Sequence, residues 1–151
     1  MVTFKILITD DVHEICAELL KSRGCHVDFK PSLSSDELIK AVKEYDAIIV
    51  RGRTKLTRAI IMEAEALKVI GRAGVGLDNI DLKAASEKGI KVVSSPQAST
   101  IAVAEATMAL ILALARMIPE ADKTLKEGLW LKSKFMGFEL RGKVLGIVGF
   151  G

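Results

Sequence analysis

Aromatic residues are scarce in this chain: they make up 5% of its 151 residues, with a single Trp and a single Tyr. A core without them rests on Ile, Val, Leu and Ala, which leans toward an α/β protein with a buried parallel sheet. Cysteine is nearly absent too. Cys16 and Cys25 lie outside any CxxC pair, and His13 and His26 nearby do not complete the paired spacing of a metal site. The two thiols read as small buried hydrophobes, and no metal is expected. No charge sign dominates: 22 Lys and Arg against 19 Asp and Glu leave a net +3, too weak to point to nucleic acid. No apolar run is long enough to span a bilayer. The longest, Ala106–Ala115, is bounded by Glu105 and Arg116 and falls well short of about 20 residues. The start MVTFKILITDD lacks the basic opening, long apolar stretch and cleavage site of a signal peptide. Together these absences predict a cytoplasmic chain with neither nucleic acid nor membrane as partner.

What is present is a rhythm of short β-rich runs and helical runs. Strands are expected at Phe4–Thr9, His26–Phe29, Ala47–Val50, Lys68–Gly71 and Ile90–Ser94. Helices are expected at Asp11–Leu20, Ser34–Val42, Thr57–Ala64 and Asp81–Lys88, the first two opening on capping-box spacings, Asp11/Glu14 and Ser34/Glu37. Strands separated by helices predict an α/β fold, a flavodoxin-like doubly wound parallel sheet in the order 2-1-3-4-5. Beyond residue 98 the rhythm breaks. Ser99–Ile118 reads as one long helix, apolar nearly all round and stopped by Pro119; Glu120–Gly128 reads as a shorter polar helix. Lys143–Val148 then reads as a sixth strand, orphaned from the sheet and running into Gly149-Phe150-Gly151. A strand entering G-x-G is the start of a dinucleotide fingerprint whose third glycine and helix would follow. The expectation is a chain cut within that loop.

Three strand exits carry polar or glycine-rich residues suited to anions. Arg51-Gly52-Arg53-Thr54-Lys55 follows the third strand, and arginine can grip a carboxylate or phosphate with two parallel bonds. After the fourth, Gly71-Arg72-Ala73-Gly74-Val75-Gly76-Leu77-Asp78-Asn79 offers close backbone approach and adjacent amides. It is not a dinucleotide fingerprint, because Asn79 stands where a third glycine would be. After the fifth comes Ser94-Ser95-Pro96-Gln97-Ala98-Ser99-Thr100, whose hydroxyls equally suit helix capping. Right-handed crossovers put all three exits on one edge of the sheet, as a cleft for a small carboxylated or phosphorylated ligand.

The strings VRGRTKLT, LKVIGRAGVGLDNIDLKAASEKGIKVV, VAEATMALILALAR and FMGFELRGKVLGIVGFG resemble the D-2-hydroxyacid dehydrogenase family over essentially the whole chain. The resemblance implies a substrate-binding domain at 1–98, lacking its carboxyl-terminal return segment. Residues 99–151 would then be connecting helices and the first strand of an NAD-binding domain. It implies substrate-binding roles for Arg51, Gly52, Arg53, Val75, Gly76 and Ser99, and makes Gly149 and Gly151 the first two glycines of the NAD fingerprint. In two places the chain departs from the family: Gly52 stands where serine is common, and Ser99 where asparagine is common. The arginine, glutamate and histidine of hydride transfer lie past the fingerprint in the family, so no catalytic residue of that set is expected here. The resemblance further implies NAD as cofactor of the parent enzyme, none bound to this piece, and a small phosphorylated 2-hydroxyacid substrate. A homodimer is expected through residues 100–151, with swapped carboxyl-terminal elements as one form of it. A glyoxylate or hydroxypyruvate reductase fragment is the alternative within the family. Outside it stand a non-catalytic flavodoxin-like binding or self-assembly module and a signalling receiver domain. The receiver needs an aspartate where Val50 and Arg51 end the third strand.

Overall fold

The computed structural model describes residues 3–149. Its strands are β1 (Lys5–Ile8), β2 (His26–Phe29), β3 (Ala47–Val50), β4 (Val69–Arg72) and β5 (Lys91–Ser94). They form one all-parallel sheet in the order β2-β1-β3-β4-β5, as expected. Between them run α1 (Ile15–Ser22), α2 (Ser35–Ala41), α3 (Arg58–Glu63) and α4 (Leu82–Glu87). The register aligns Val50 with Arg72 and Arg72 with Ser94, so the exits of β3, β4 and β5 stand side by side.

The central strands are apolar because both faces are covered. Leu7, Ile48, Val50 and Ile70 are wholly buried and pack with Leu38, Val42, Ile60, Ile61 and Ala84. Strand alternation turns Ile6 and Ile8 to the opposite face, where they are also buried. Burying each such side chain is worth about 1.5–3 kcal/mol. The Ser34–Glu37 capping box forms as read: the Glu37 amide donates to Ser34 Oγ at 3.3 Å, and the Ser34 amide donates to Glu37 Oε2 at 2.9 Å.

The Asp11–Glu14 box does not form. α1 begins at Ile15, and its N-cap Glu14 makes no side-chain capping bond. The first amides turn to His13 instead: Ile15 N–H donates to Nδ1 at 3.3 Å and Cys16 N–H to the carbonyl oxygen at 2.9 Å. Cys16 and Cys25 are free and half-buried rather than buried, and burial pushes the Cys16 thiol pKa up.

The chain divides into two compact units, Met1–Ser99 and Thr100–Gly151. In the second unit both expected helices form, with the break between them earlier than Pro119: α5 (Thr100–Ala115) and α6 (Ile118–Lys126). Met117, left-handed at φ 52°, breaks the chain between them. Pro119 therefore starts a helix rather than stopping one: it sits in the first turn, where its missing N–H leaves no bond unmade. The α5 end is closed by Phe138 N–H donating to the Ala115 carbonyl at 2.9 Å. Gly137 is required beside it, because a Cβ there would overlap that carbonyl. Ala115 is the one buried residue of α5, and Ile101, Leu110 and Leu114 are 75%, 72% and 77% exposed.

The expected sixth strand is absent. Lys143–Val148 is irregular and pairs with no strand among the described residues, and Val144 and Val148 are fully open. A strand exists through a neighbour's hydrogen bonds, and here no neighbour supplies them. Among the described residues no single helix is long and apolar enough to cross a membrane, and no group of side chains is placed to hold a metal ion.

Candidate functional site

The loop after β3 is organised by a carboxylate that arrives from β1. Asp10 is 2% exposed. Its Oδ2 accepts the Arg51 amide at 2.6 Å and the Thr54 amide at 3.1 Å, while Oδ1 accepts the Thr54 hydroxyl at 2.6 Å. Burial alone pushes the Asp10 carboxyl pKa up. The bonds from the Thr54 side chain and amide, the Arg51 amide and the Arg53 charge together outweigh it, and the pKa lies below the ordinary carboxylate value.

The two arginines of this loop are held differently. Arg53 turns back toward β1: its Nε lies 3.5 Å from Asp10 Oδ1, and its Nη2 donates to the Thr9 carbonyl at 3.2 Å. Arg51 is exposed, and its guanidinium makes one long contact, 3.4 Å to the Asp11 carbonyl. Between them and the two aspartates lies a small pocket of about 150 Å³ that includes Gly52.

The glycine loop after β4 meets this one. Asn79 Nδ2 donates to the Arg51 carbonyl at 2.9 Å and to the Thr54 carbonyl at 2.7 Å. Leu56 N–H donates to the Asn79 carbonyl at 2.8 Å, and Asp81 N–H to the Leu56 carbonyl at 2.9 Å. The Arg72 guanidinium lies over Gly74, whose φ of +146° and missing Cβ both make room for it. The same guanidinium reaches toward Gly52, where an added Cβ would stand 3.9 Å from Nη2. Arg72 Nε is buried with no hydrogen-bond partner among the described residues. Val75 and Gly76 are exposed, and their amides take no partner among the described residues. The β5 exit joins the β4 loop through Ser95 N–H, which donates to the Gly74 carbonyl at 3.0 Å.

Residues 6–139 match the family described as D-isomer specific 2-hydroxyacid dehydrogenase, catalytic domain. The chain belongs to that family. It is 52% identical over 147 residues to D-3-phosphoglycerate dehydrogenase of Methanocaldococcus jannaschii and 46% identical to that of Homo sapiens. Each match covers 97% of this chain and 28% of the relative, so the chain spans under a third of those proteins. Among solved structures, the apo form of D-lactate dehydrogenase from Escherichia coli is similar at a TM-score of 0.80 and 25% identity, over 98% of this chain and 49% of that one. An NAD+-bound 3-phosphoglycerate dehydrogenase from Entamoeba histolytica is similar at a TM-score of 0.67 and 28% identity, over 76% of this chain and 40% of that one.

Within this family frame, Arg51, Gly52, Arg53, Val75 and Gly76 share the sheet's carboxyl edge. Ser99 does not join them by any hydrogen bond; it is exposed in the turn before α5. Gly149 belongs to the other unit, with φ +84° and open space around it, and Gly151 lies outside the described residues. Sequence reasoning missed three participants. The sequence pattern assigns Asp10 no role, offers Asn79 only where a third glycine would stand, and shows Arg72 only as a letter in a glycine motif. For Asp10 the available signal was its place at a strand's carboxyl end beside the basic loop.

Proposed function

We propose that this chain is the substrate-binding portion of an NAD-dependent oxidoreductase that oxidises 3-phosphoglycerate to 3-phosphohydroxypyruvate in serine biosynthesis. The observation that carries the reading is the pairing of unpartnered amides at Val75 and Gly76 with a cationic loop at Arg51–Arg53 on the same sheet edge. In this reading the two amides hold the substrate carboxylate. Arg51 supplies the fork for the second anion, and Arg53 and Gly52 shape the loop behind it. Arg72, with an unpaired Nε beside Gly74, adds a third cation, and Ser99 would close the site from the β5 side. Residues 1–98 are then the substrate domain and 99–151 the connection to the nucleotide domain.

NAD, which would accept hydride in the whole enzyme, is not accommodated by the residues described here. A pyrophosphate site needs a strand leading through glycines to a helix amino terminus. Residues 143–149 form neither strand nor helix, so only the φ of +84° at Gly149 fits that pattern. The task left to this chain is to bind and orient substrate. Of its two histidines, His26 opens β2 at the sheet's amino edge beside Lys5, and His13, after the β1 exit, turns its Nδ1 to the first amide of α1; in this reading neither takes the proton-transfer role. The chain alone is accordingly expected to be without turnover. The exposed apolar residues of α5 supply the surface for a homodimer through residues 100–151.

Titration of the chain with 3-phosphoglycerate, followed by amide chemical shifts, tests the assignment. Val75, Gly76 and Arg51 are expected to move first, with affinity in the millimolar range, about −4 kcal/mol. Glyoxylate, which lacks the phosphate, is expected to move the Val75 and Gly76 amides without Arg51. Shifts confined to surface residues elsewhere would refute the site, and steady NADH production by the chain alone would refute its expected inactivity.

A further inference from the structure

The Arg51–Thr54 loop is gripped at the same two residues from opposite sides. Asp10 accepts the amides of Arg51 and Thr54, and Asn79 donates to the carbonyls of Arg51 and Thr54. Both peptide ends of a four-residue turn are thereby fixed by side chains from two other strand exits, one at β1 and one at β4. The Thr54 hydroxyl adds a further bond to Asp10 at 2.6 Å. Such a clamp goes beyond stabilising the fold. The loop is exposed at Arg51, Gly52 and Arg53, and without side-chain partners a segment of this kind samples many conformations, each a separate entropic loss on binding.

We propose that Asp10 and Asn79 are positioning residues that preset the Arg51–Thr54 loop for an anionic ligand, with Asp10 placed there for its acceptor geometry rather than its charge. The inference rests on the reading of this edge as a substrate-anion site. Charge and geometry predict opposite signs. A carboxylate beside a cationic loop repels an incoming anion, so on charge alone its removal strengthens binding, by about threefold for unit charges roughly 6 Å apart in water-like surroundings. On geometry, its removal frees two amides and a hydroxyl, and binding weakens.

The bonding pattern supplies a conservative variant. Both backbone amides point at one oxygen, Asp10 Oδ2, and the third partner is a hydroxyl, which accepts as readily as it donates. In Asp10→Asn the amide oxygen can take both N–H groups while its NH2 donates to Thr54 Oγ1. The clamp survives, and the negative charge and the Arg53 pairing are lost. Asp10→Ala loses all of them.

The test compares Asp10→Ala, Asp10→Asn, Asn79→Ala and the unsubstituted 151-residue chain. Two readouts are used: hydrogen exchange of the Arg51 and Thr54 amides without ligand, and amide-shift titration with 3-phosphoglycerate. Amides of Ile48 and Ile70 in the central strands report whether each variant is folded. The expected result is at least about tenfold faster exchange at Arg51 and Thr54 in Asp10→Ala, with protection retained in Asp10→Asn. Anion binding is expected to weaken at least about fivefold in Asp10→Ala and Asn79→Ala, and to stay equal or improve in Asp10→Asn. Binding in Asp10→Ala that equals or exceeds that of the unsubstituted chain overturns the proposal, as does Asp10→Asn behaving like Asp10→Ala. Should the unsubstituted chain show no loop shifts with 3-phosphoglycerate, the substrate reading fails by itself, and the exchange rates alone decide the clamp. If Asp10→Ala does not fold, Asn79→Ala carries the comparison, and unchanged exchange and unchanged binding in that variant overturn the proposal.

Discussion

Gly74→Ala is the substitution whose effect the structure fixes most closely. Gly74 has φ +146°, a region that residues with a side chain rarely occupy, and a Cβ built there would overlap Arg72 Nη1. Holding alanine in such a conformation costs about 1–3 kcal/mol. Displacing the Arg72 guanidinium adds to this by breaking the contact of its Nη1 with the Ala73 carbonyl at 3.4 Å. The neighbouring glycines serve as controls. At Gly52 a Cβ would meet only Arg72 Nη2 at 3.9 Å and φ is not positive, so Gly52→Ala is expected to be neutral or stabilising by up to about 1 kcal/mol. At Gly76 a Cβ would stand 2.7 Å from Asp78 Oδ1, but that carboxylate is exposed and can swing away, so a loss under about 1 kcal/mol is expected. Urea denaturation with a constant m value measures all three. In thermal unfolding each kcal/mol corresponds to a midpoint shift of roughly 4–8 °C for a unit of this size. Arg72→Ala/Gly74→Ala separates the two causes, since removing the guanidinium relieves the overlap and leaves the backbone strain. Gly74→Ala within about 0.5 kcal/mol of the unsubstituted chain, or less harmful than Gly52→Ala, would refute the reasoning.

Ile70→Ala, in the wholly buried centre of β4, is expected to destabilise by about 2–5 kcal/mol in the same assay. Ser34→Ala removes the capping-box hydroxyl that receives the Glu37 amide, and a loss of about 1 kcal/mol is expected. Because the folded-state pKa of Asp10 is depressed, its contribution to stability is fully present above the unfolded carboxyl value near pH 3.9 and is lost as pH falls through the lower folded value. Urea midpoints between about pH 5 and pH 2 should fall less steeply for Asp10→Asn than for the unsubstituted chain. Light scattering at micromolar concentration should report a dimer; a mass near 16 kDa at every concentration would remove the proposed role of α5.

The chain's rhythm of strand and helix was legible because each signal is local. The short β-rich runs at 47–50 and 26–29 became strands with the bounds read for them, and Ser34–Glu37 closed its own capping box. Asp11–Glu14 has similar spacing but failed, since Arg51 reaches the Asp11 carbonyl, Asp10 is drawn to the β3 exit, and His13 receives the first amides of α1. That the break between the two helices falls at Met117 and not at Pro119 was illegible for a related reason. A left-handed methionine has no compositional mark, and Pro119 reads equally as a stop or a start. The expected strand at 143–148 was a statement about side chains, while strand formation is decided by a neighbour's backbone, which the sequence pattern does not contain.

By itself, the sequence determined the order of the sheet, the family and the edge to which the polar strand exits run, because strands separated by helices pair in parallel and right-handed crossovers bring their exits to one edge. The tertiary structure alone decided how that edge is built. Asp10, Asn79 and Arg72 lie up to 69 positions from the residues they engage or from one another, and no local pattern links them. Their roles follow from distance in space: a buried carboxylate must find donors, an amide side chain must spend its N–H groups, and a guanidinium can cross the backbone only at a residue without a Cβ.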